Sequence, residues 1–173
     1  MIDEGELRVG ERAFYPVLGV VELLTTEARE IGGSRQRFYV LAVVGADRKV
    51  LVPTTNAEAI GLRRLASPAE IDALLSALAV RPTSFDTQTW NRRARAFAER
   101  QKTGRLADTG EIVRELEWRK RQKPLAYGER RVLDATKGML VREIASALGV
   151  DEAEAEARVD AAFEPQGGGG QSA

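Results

Sequence analysis

Hydrophobic and polar positions change their period near residue 66, and the change splits the chain into a β half and an α half. Short runs rich in Val, Leu, Phe and Tyr occupy Val9 to Pro16, Gly19 to Leu24, Arg37 to Val44 and Lys49 to Pro53. A polar stretch leads into the turn Gly32-Gly33. β-branched and aromatic runs bounded by turn residues predict strands. Counting the polar stretch, five short strands in roughly 60 residues predict a small, strongly bent sheet or partly open barrel. From Ser67 the period becomes helical. Ser67-Pro68-Ala69-Glu70 has the form of a helix start, with Ser as cap, Pro at the first position and Glu three residues after the cap. Ile71, Leu74, Leu75 and Leu78 then form one apolar stripe. Further helices are predicted from about Thr87 to Lys102 with Gly104 as stop, Asp108 to Gln122, Tyr127 to Leu148 with Gly149 as stop, and from the cap Asp151 to Phe163. The fold class is therefore α+β: a β module over residues 1–66, a compact bundle of about five helices over 67–165, and a flexible glycine-rich tail over 166–173.

Composition narrows the function. The 173 residues are 43% hydrophobic and 30% charged, which suits a folded, water-exposed protein rather than a disordered one. No run is long and apolar enough to span a bilayer. The acidic start Met1-Ile2-Asp3-Glu4 does not read as a secretory leader, so a cytoplasmic protein is expected. The chain has no cysteine and no histidine. Disulfides, thiolate nucleophiles, sulfur metal sites and the commonest general base are thereby excluded. A binding protein without catalytic residues, metal or cofactor is expected, not an enzyme.

The zero net charge hides an asymmetry. Residues 1–85 are near neutral at −1, residues 86–137 carry +6, and residues 138–173 carry −5. A basic middle segment suggests a surface for a polyanion. Within it, Trp90-Asn91-Arg92-Arg93-Ala94-Arg95-Ala96-Phe97 places one tryptophan at a helix start among three arginines. At helical spacing Trp90, Ala94 and Phe97 share a face, with Arg92 and Arg95 opposite. One reading makes both aromatics core anchors. The other keeps Phe97 in the core and turns Trp90 outward, where cations hold phosphates and the ring presses on a base step.

Other motifs read as structure. Arg142 to Ala153 resembles the turn of a helix-turn-helix, but the next helix carries Glu152, Glu154, Glu156 and Asp160 against Arg158 alone. Those carboxylates would repel phosphates, so a packed helical hairpin is expected. Glu111, Glu115 and Glu117, interleaved with Arg114, Arg119, Lys120, Arg121 and Lys123, read as a salt-bridged solvent face. No phosphate-binding glycine loop is present.

Taken in order, several short motifs resemble the CarD/CdnL family of bacterial RNA polymerase-binding transcription regulators. They are Val9-Gly10-Glu11, Tyr15-Pro16-x-x-Gly19-Val20, Phe38-Tyr39-Val40-Leu41, Val52-Pro53, Gly61-Leu62-Arg63, Trp90-Asn91-Arg92-Arg93, Lys102-Thr103-Gly104, Leu125-Ala126-Tyr127-Gly128-Glu129-Arg130 and Leu140-Val141-x-Glu143. The resemblance implies a Tudor-like (SH3-like) module that docks on the RNA polymerase β subunit through the edge strand Lys49, Val50, Leu51, Val52 and Pro53. It also implies a helical domain contacting promoter DNA near the upstream edge of the −10 element through Trp90, Arg92, Arg93, Arg95, Lys102 and Arg130. Open-complex stabilisation by a monomer, with no small-molecule substrate and no membrane partner, would follow. Ala94 and Ala98 stand where the family often has larger residues, and Trp118 has no familiar counterpart. A competing expectation is a protein-interaction module whose basic face is merely solvated. The exposure of Trp90 separates the two.

Overall fold

The computed structural model describes residue 2 and residues 6–165; the glycine-rich tail expected beyond Pro165 lies outside the described residues. Strands β1 (Arg12–Tyr15), β2 (Gly19–Ile31), β3 (Ser34–Val43), β4 (Lys49–Pro53) and β5 (Arg63–Arg64) form one antiparallel sheet in the order β4-β3-β2-β1-β5. The sheet is not closed, since β4 and β5 end its two edges. Five strands are present, but they differ from those predicted. The polar stretch is no separate strand; it continues β2 without a break, and the fifth strand is β5, two residues long. A bulge at Leu24 shifts the β2–β3 register, and the paired strands then run on to Ile31 opposite Ser34. Gly32 and Gly33 close this hairpin with φ of 59° and 80°, values that suit glycine.

The sheet has two working faces. Ala13, Val21, Leu23, Tyr39, Leu41 and Val52 pack with Leu7, Ala57 and Leu62 into the core of the β module. Phe14 and its cross-strand partner Val20 are buried on the reverse face, as strand alternation requires. That face meets the helices.

Helices α1 (Pro68–Leu78), α2 (Trp90–Thr103), α3 (Leu106–Lys120), α4 (Tyr127–Leu148) and α5 (Glu152–Ala161) follow. The Ser67 side chain accepts a hydrogen bond from the Glu70 backbone N–H, and the Glu70 carboxylate accepts one from the Ser67 N–H. The Asp151 side chain caps α5 by accepting from the Glu154 N–H, without a return bond, while Gly104 and Gly149 end α2 and α4 in the left-handed conformation. Ile71, Leu74, Leu78, Phe97, Ile112, Leu116, Leu133, Leu140, Ile144, Val159 and Phe163 fill the bundle core.

The two modules are tied by charge. Glu143 on α4 is completely buried and accepts from Arg63 Nη1 at 2.6 Å, Arg63 Nη2 at 3.0 Å and the Ala66 N–H at 3.0 Å. Arg63 Nε donates to the Gly104 carbonyl at 2.7 Å, and its guanidinium lies 4.4 Å from the Phe14 ring centroid. Arg12 adds a second tie, donating to Ser146 Oγ at 2.9 Å.

The charged face of α3 is salt-bridged as expected, through Arg114–Glu111, Arg119–Glu115 and Arg121–Glu117. Glu111, Lys120, Arg121 and Lys123 are exposed, but two of its members are interior. Glu117 and Arg119 are buried, and Glu117 accepts from Arg121 at 2.7 Å and from Lys137 of α4 at 3.1 Å. Lys137 also donates to Asp160 of α5 at 2.6 Å, so one cation joins three helices. Burial works against ionisation of Glu117. The hydrogen bonds from Arg121 and Lys137 outweigh it and hold the carboxyl below its usual range. Lys137 is likewise disfavoured by burial, but bonding to Asp160 and Glu117 raises its pKa.

Candidate nucleic-acid interface

Trp90 is the first residue of α2 and is half-buried, neither a core side chain nor a free wedge. Its ring sits 6.3 Å from Phe97, centroid to centroid, at an interplanar tilt of 51°. Its other support is the backbone of α4. A Cβ built on Gly128 would lie 2.7 Å from Trp90 Nε1 and 2.8 Å from Cε2, far inside van der Waals contact. The indole therefore rests on the space that this glycine leaves open.

The arginines around it divide into two sets. Arg93, read from sequence as a DNA contact, is only 7% exposed and is corrected here to an internal role. Its Nε donates to the Gln88 carbonyl at 3.2 Å, its Nη2 lies 3.5 Å from Glu129 Oε1, and its guanidinium stands 5.4 Å from the Trp90 centroid. The same Glu129 carboxylate faces Arg119 at 3.9 Å, and Arg119 also donates to the Asp86 carbonyl at 2.8 Å. Two buried arginines from α2 and α3 thus flank one buried carboxylate from α4, beneath the loop that leads into Trp90, and Arg119 also lies 3.6 Å from Glu115 of its own helix. A guanidinium so enclosed cannot meet a phosphate in solvent.

The second set faces water. Arg92, Arg95 and Arg130 are exposed and have no ion-pair partner among the described residues. Lys102 is exposed as well, but its Nζ lies 2.7 Å from Glu99 one helical turn away. Such an exposed pair is worth little and leaves the cation available to another anion. Neither α2 nor α4 has a side-chain cap at its N-terminus, in contrast to α1 and α5.

Sequence reasoning assigned no role to Tyr127, Gly128 or Glu129, although all three fell in a quoted motif. For Gly128 and Glu129 the signal is three-dimensional: each gains its meaning from α2, which lies more than a full helix away in sequence. Trp118 is structural. It is half-buried, donates from Nε1 to the Leu78 carbonyl at 2.9 Å, and meets Phe163 edge-on at 5.8 Å. The α4–α5 hairpin is packed through Ala155, Val159 and Phe163, with Glu152, Glu154 and Glu156 exposed.

At the edge of the sheet opposite β5, β4 borders no further strand. Along it Lys49 and Leu51 are exposed, Leu51 at 43%, while Val52 is buried and Val50 and Pro53 are partly covered. The edge offers backbone hydrogen-bonding groups and one apolar side chain to a partner strand. No helix among the described residues is long and apolar enough to cross a membrane, and no group of three or more acidic side chains is placed to hold a metal ion.

Comparison with known proteins agrees with this division. Residues 7–66 match the family model described as the CarD-like/TRCF RID domain, and residues 73–160 match the model described as the CarD C-terminal domain. A Bacillus subtilis (strain 168) protein named "Putative transcription factor YdeB" is 23% identical over 145 residues, covering 84% of this chain and 94% of that protein. With both halves matched in chain order, and a single alignment running across them, the chain belongs to the CarD-like family of transcription regulators.

Proposed function

We propose that this protein docks on the β subunit of RNA polymerase through the outer edge of β4 and sets Trp90 against promoter DNA near the upstream edge of the −10 element. There it stabilises the open complex, in the cytoplasm and as a monomer, without chemistry of its own. Residues 1–66 act as the docking domain and 67–165 as the DNA-binding domain. The observation that carries the reading is Trp90, half-buried at the uncapped start of α2, on a helix that also carries exposed Arg92 and Arg95 and against the first turn of α4, which carries exposed Arg130, none of the three ion-paired among the described residues. Arg92, Arg95, Lys102 and Arg130 serve phosphates, and Arg93 braces the indole from within. Contacts of this kind read backbone and shape, so sequence preference is small.

Footprinting of a polymerase–promoter complex tests it. The protein is expected to extend protection at the upstream end of the melted region and to lengthen open-complex lifetime. Trp90→Ala should lose both effects while keeping polymerase binding. A footprint and a lifetime unchanged by the wild-type protein would refute the DNA contact. The seating of Trp90 and the enclosure of Arg93 favour a second reading, a polymerase-binding interaction module without DNA contact. Binding to polymerase with no change in the footprint is its signature.

A further inference from the structure

The N-termini of α2 and α4 meet where Trp90 rests on Gly128. Tyr127, the residue before that glycine and the first of α4, is 70% exposed, the largest exposure among the big apolar side chains of the described residues. Tyr127 thus immediately precedes the glycine on which Trp90 rests. Arg131, one turn further on, holds its guanidinium 5.8 Å from the Tyr127 centroid, and Arg130 beside it is exposed and unpaired. The acidic residue of this first turn, Glu129, is turned inward to Arg93 and Arg119. The exposed charged side chains in the first turns of α2 and α4 are therefore all cationic, Arg92, Arg130 and Arg131.

Trp90 is seated between Phe97 and the α4 backbone, so it cannot enter an intact base stack without leaving its support. What it offers is the open part of its ring, and Tyr127 offers a second ring nearby. Aromatic rings flanked by arginine bind bases that are already unpaired, through stacking that any base can supply. Building on the DNA-contact reading above, we infer that Tyr127 is a second nucleic-acid contact, which with Trp90 forms a stacking platform for an unpaired nucleobase at the edge of the melted region. The free cations take the adjoining phosphates.

The test uses full-length protein with polymerase holoenzyme on a promoter, with open-complex lifetime as readout. Wild type, Trp90→Ala, Tyr127→Ala and Tyr127→Phe are compared. An abasic nucleotide is placed in turn at each non-template position of the upstream fork. Tyr127→Ala is expected to shorten the lifetime by about 5-fold or more, the scale of one lost base stack, and Tyr127→Phe to keep it. At one fork position, removal of the base should shorten the lifetime with wild type and shorten it less with Tyr127→Ala, which has already lost one of the two rings. A wild-type lifetime with Tyr127→Ala, in a series where Trp90→Ala shortens it, overturns this inference alone. So does a Tyr127→Ala loss that is the same at every abasic position. A wild-type protein that leaves the lifetime unchanged overturns the DNA-contact reading and this inference with it. Tyr127 is exposed, so matching melting curves establish that the variants are folded.

Discussion

Glu143→Ala is expected to destabilise the protein by about 3–4 kcal/mol. The carboxylate it removes is wholly buried and accepts three hydrogen bonds, two from Arg63 and one from the Ala66 backbone. Breaking one partner of a buried ion pair costs about 3–5 kcal/mol, because the other charge stays behind uncompensated. Here the stranded Arg63 side chain keeps 19% of its accessibility, which lets water reach part of it and places the loss near the lower end. The orphaned Ala66 N–H adds about 1 kcal/mol. For a chain of this length the sum corresponds to a fall in melting temperature of roughly 6–16 °C. Thermal unfolding followed by circular dichroism measures it. The double replacement Arg63→Met with Glu143→Leu should recover most of the loss, since no charge is then left buried. A drop of less than about 2 °C for Glu143→Ala, or a double variant no better than Glu143→Ala, would refute the assignment of a desolvated pair. The same pair joins β5 to α4, so the double variant also asks whether fixed geometry between the modules matters. Polymerase binding should survive in it, and any loss of open-complex stabilisation would then come from the joint.

Three further outcomes follow from the geometry. Trp90→Ala should cost about 1.5–2.5 kcal/mol in a denaturant titration, roughly half the loss for a fully buried ring, because only part of the indole is packed on Phe97 and Gly128; a loss near zero would mean the seat does not form. Val17, exposed and non-glycine at φ 72°, should be improved by Val17→Asn by about 0.5–1 kcal/mol, since a β-branched residue is strained in the left-handed region and Asn tolerates it; an unchanged melting temperature would refute the strain. Lys137→Met should lower stability most between about pH 5 and pH 10, with the difference from wild type shrinking on both sides: Glu117, its pKa lowered, gives up its contribution as pH falls through the folded value, and Lys137, its pKa raised, gives up its own as pH rises through the folded value. A difference that is flat from pH 3 to pH 11 would exclude the pairing as its source.

The parts of the fold that were legible in the sequence are those whose signals are local. The Ser67 cap with Glu70 and the stop at Gly149 each act within a few residues, and α4 runs from Tyr127 to Leu148 as its pattern predicts. The β half was less legible for a physical reason. Beyond the Leu24 bulge every residue of β2 is exposed, so no alternation shows that the polar stretch Thr25 to Ile31 continues that strand. β5 exists because Ala13 and Phe14 pair with it, a relation across some 50 positions that no window of sequence contains.

The same distinction governs the site. Charge patterning located the basic segment and Trp90 but could not tell which arginines face water, because the partner that encloses Arg93 sits on another helix. A run of like charges reads as uniform until a buried carboxylate selects among its members. Glu129 makes that selection: it takes Arg93 into the interior, with Arg119 held between it and Glu115, and leaves Arg92, Arg95 and Arg130 outside. It therefore has two effects at once, fixing the loop and helix start that present Trp90 and withholding its own negative charge from the surface. If the exposed set makes the phosphate contacts, Arg92→Gln and Arg95→Gln should each reduce the salt dependence of DNA binding by about one unit of slope. Arg93→Gln should instead lower stability and leave the slope of the folded protein unchanged. Salt titrations of the three variants, run beside their melting curves, check this; an Arg93→Gln protein of normal stability with a reduced slope would return that arginine to the DNA.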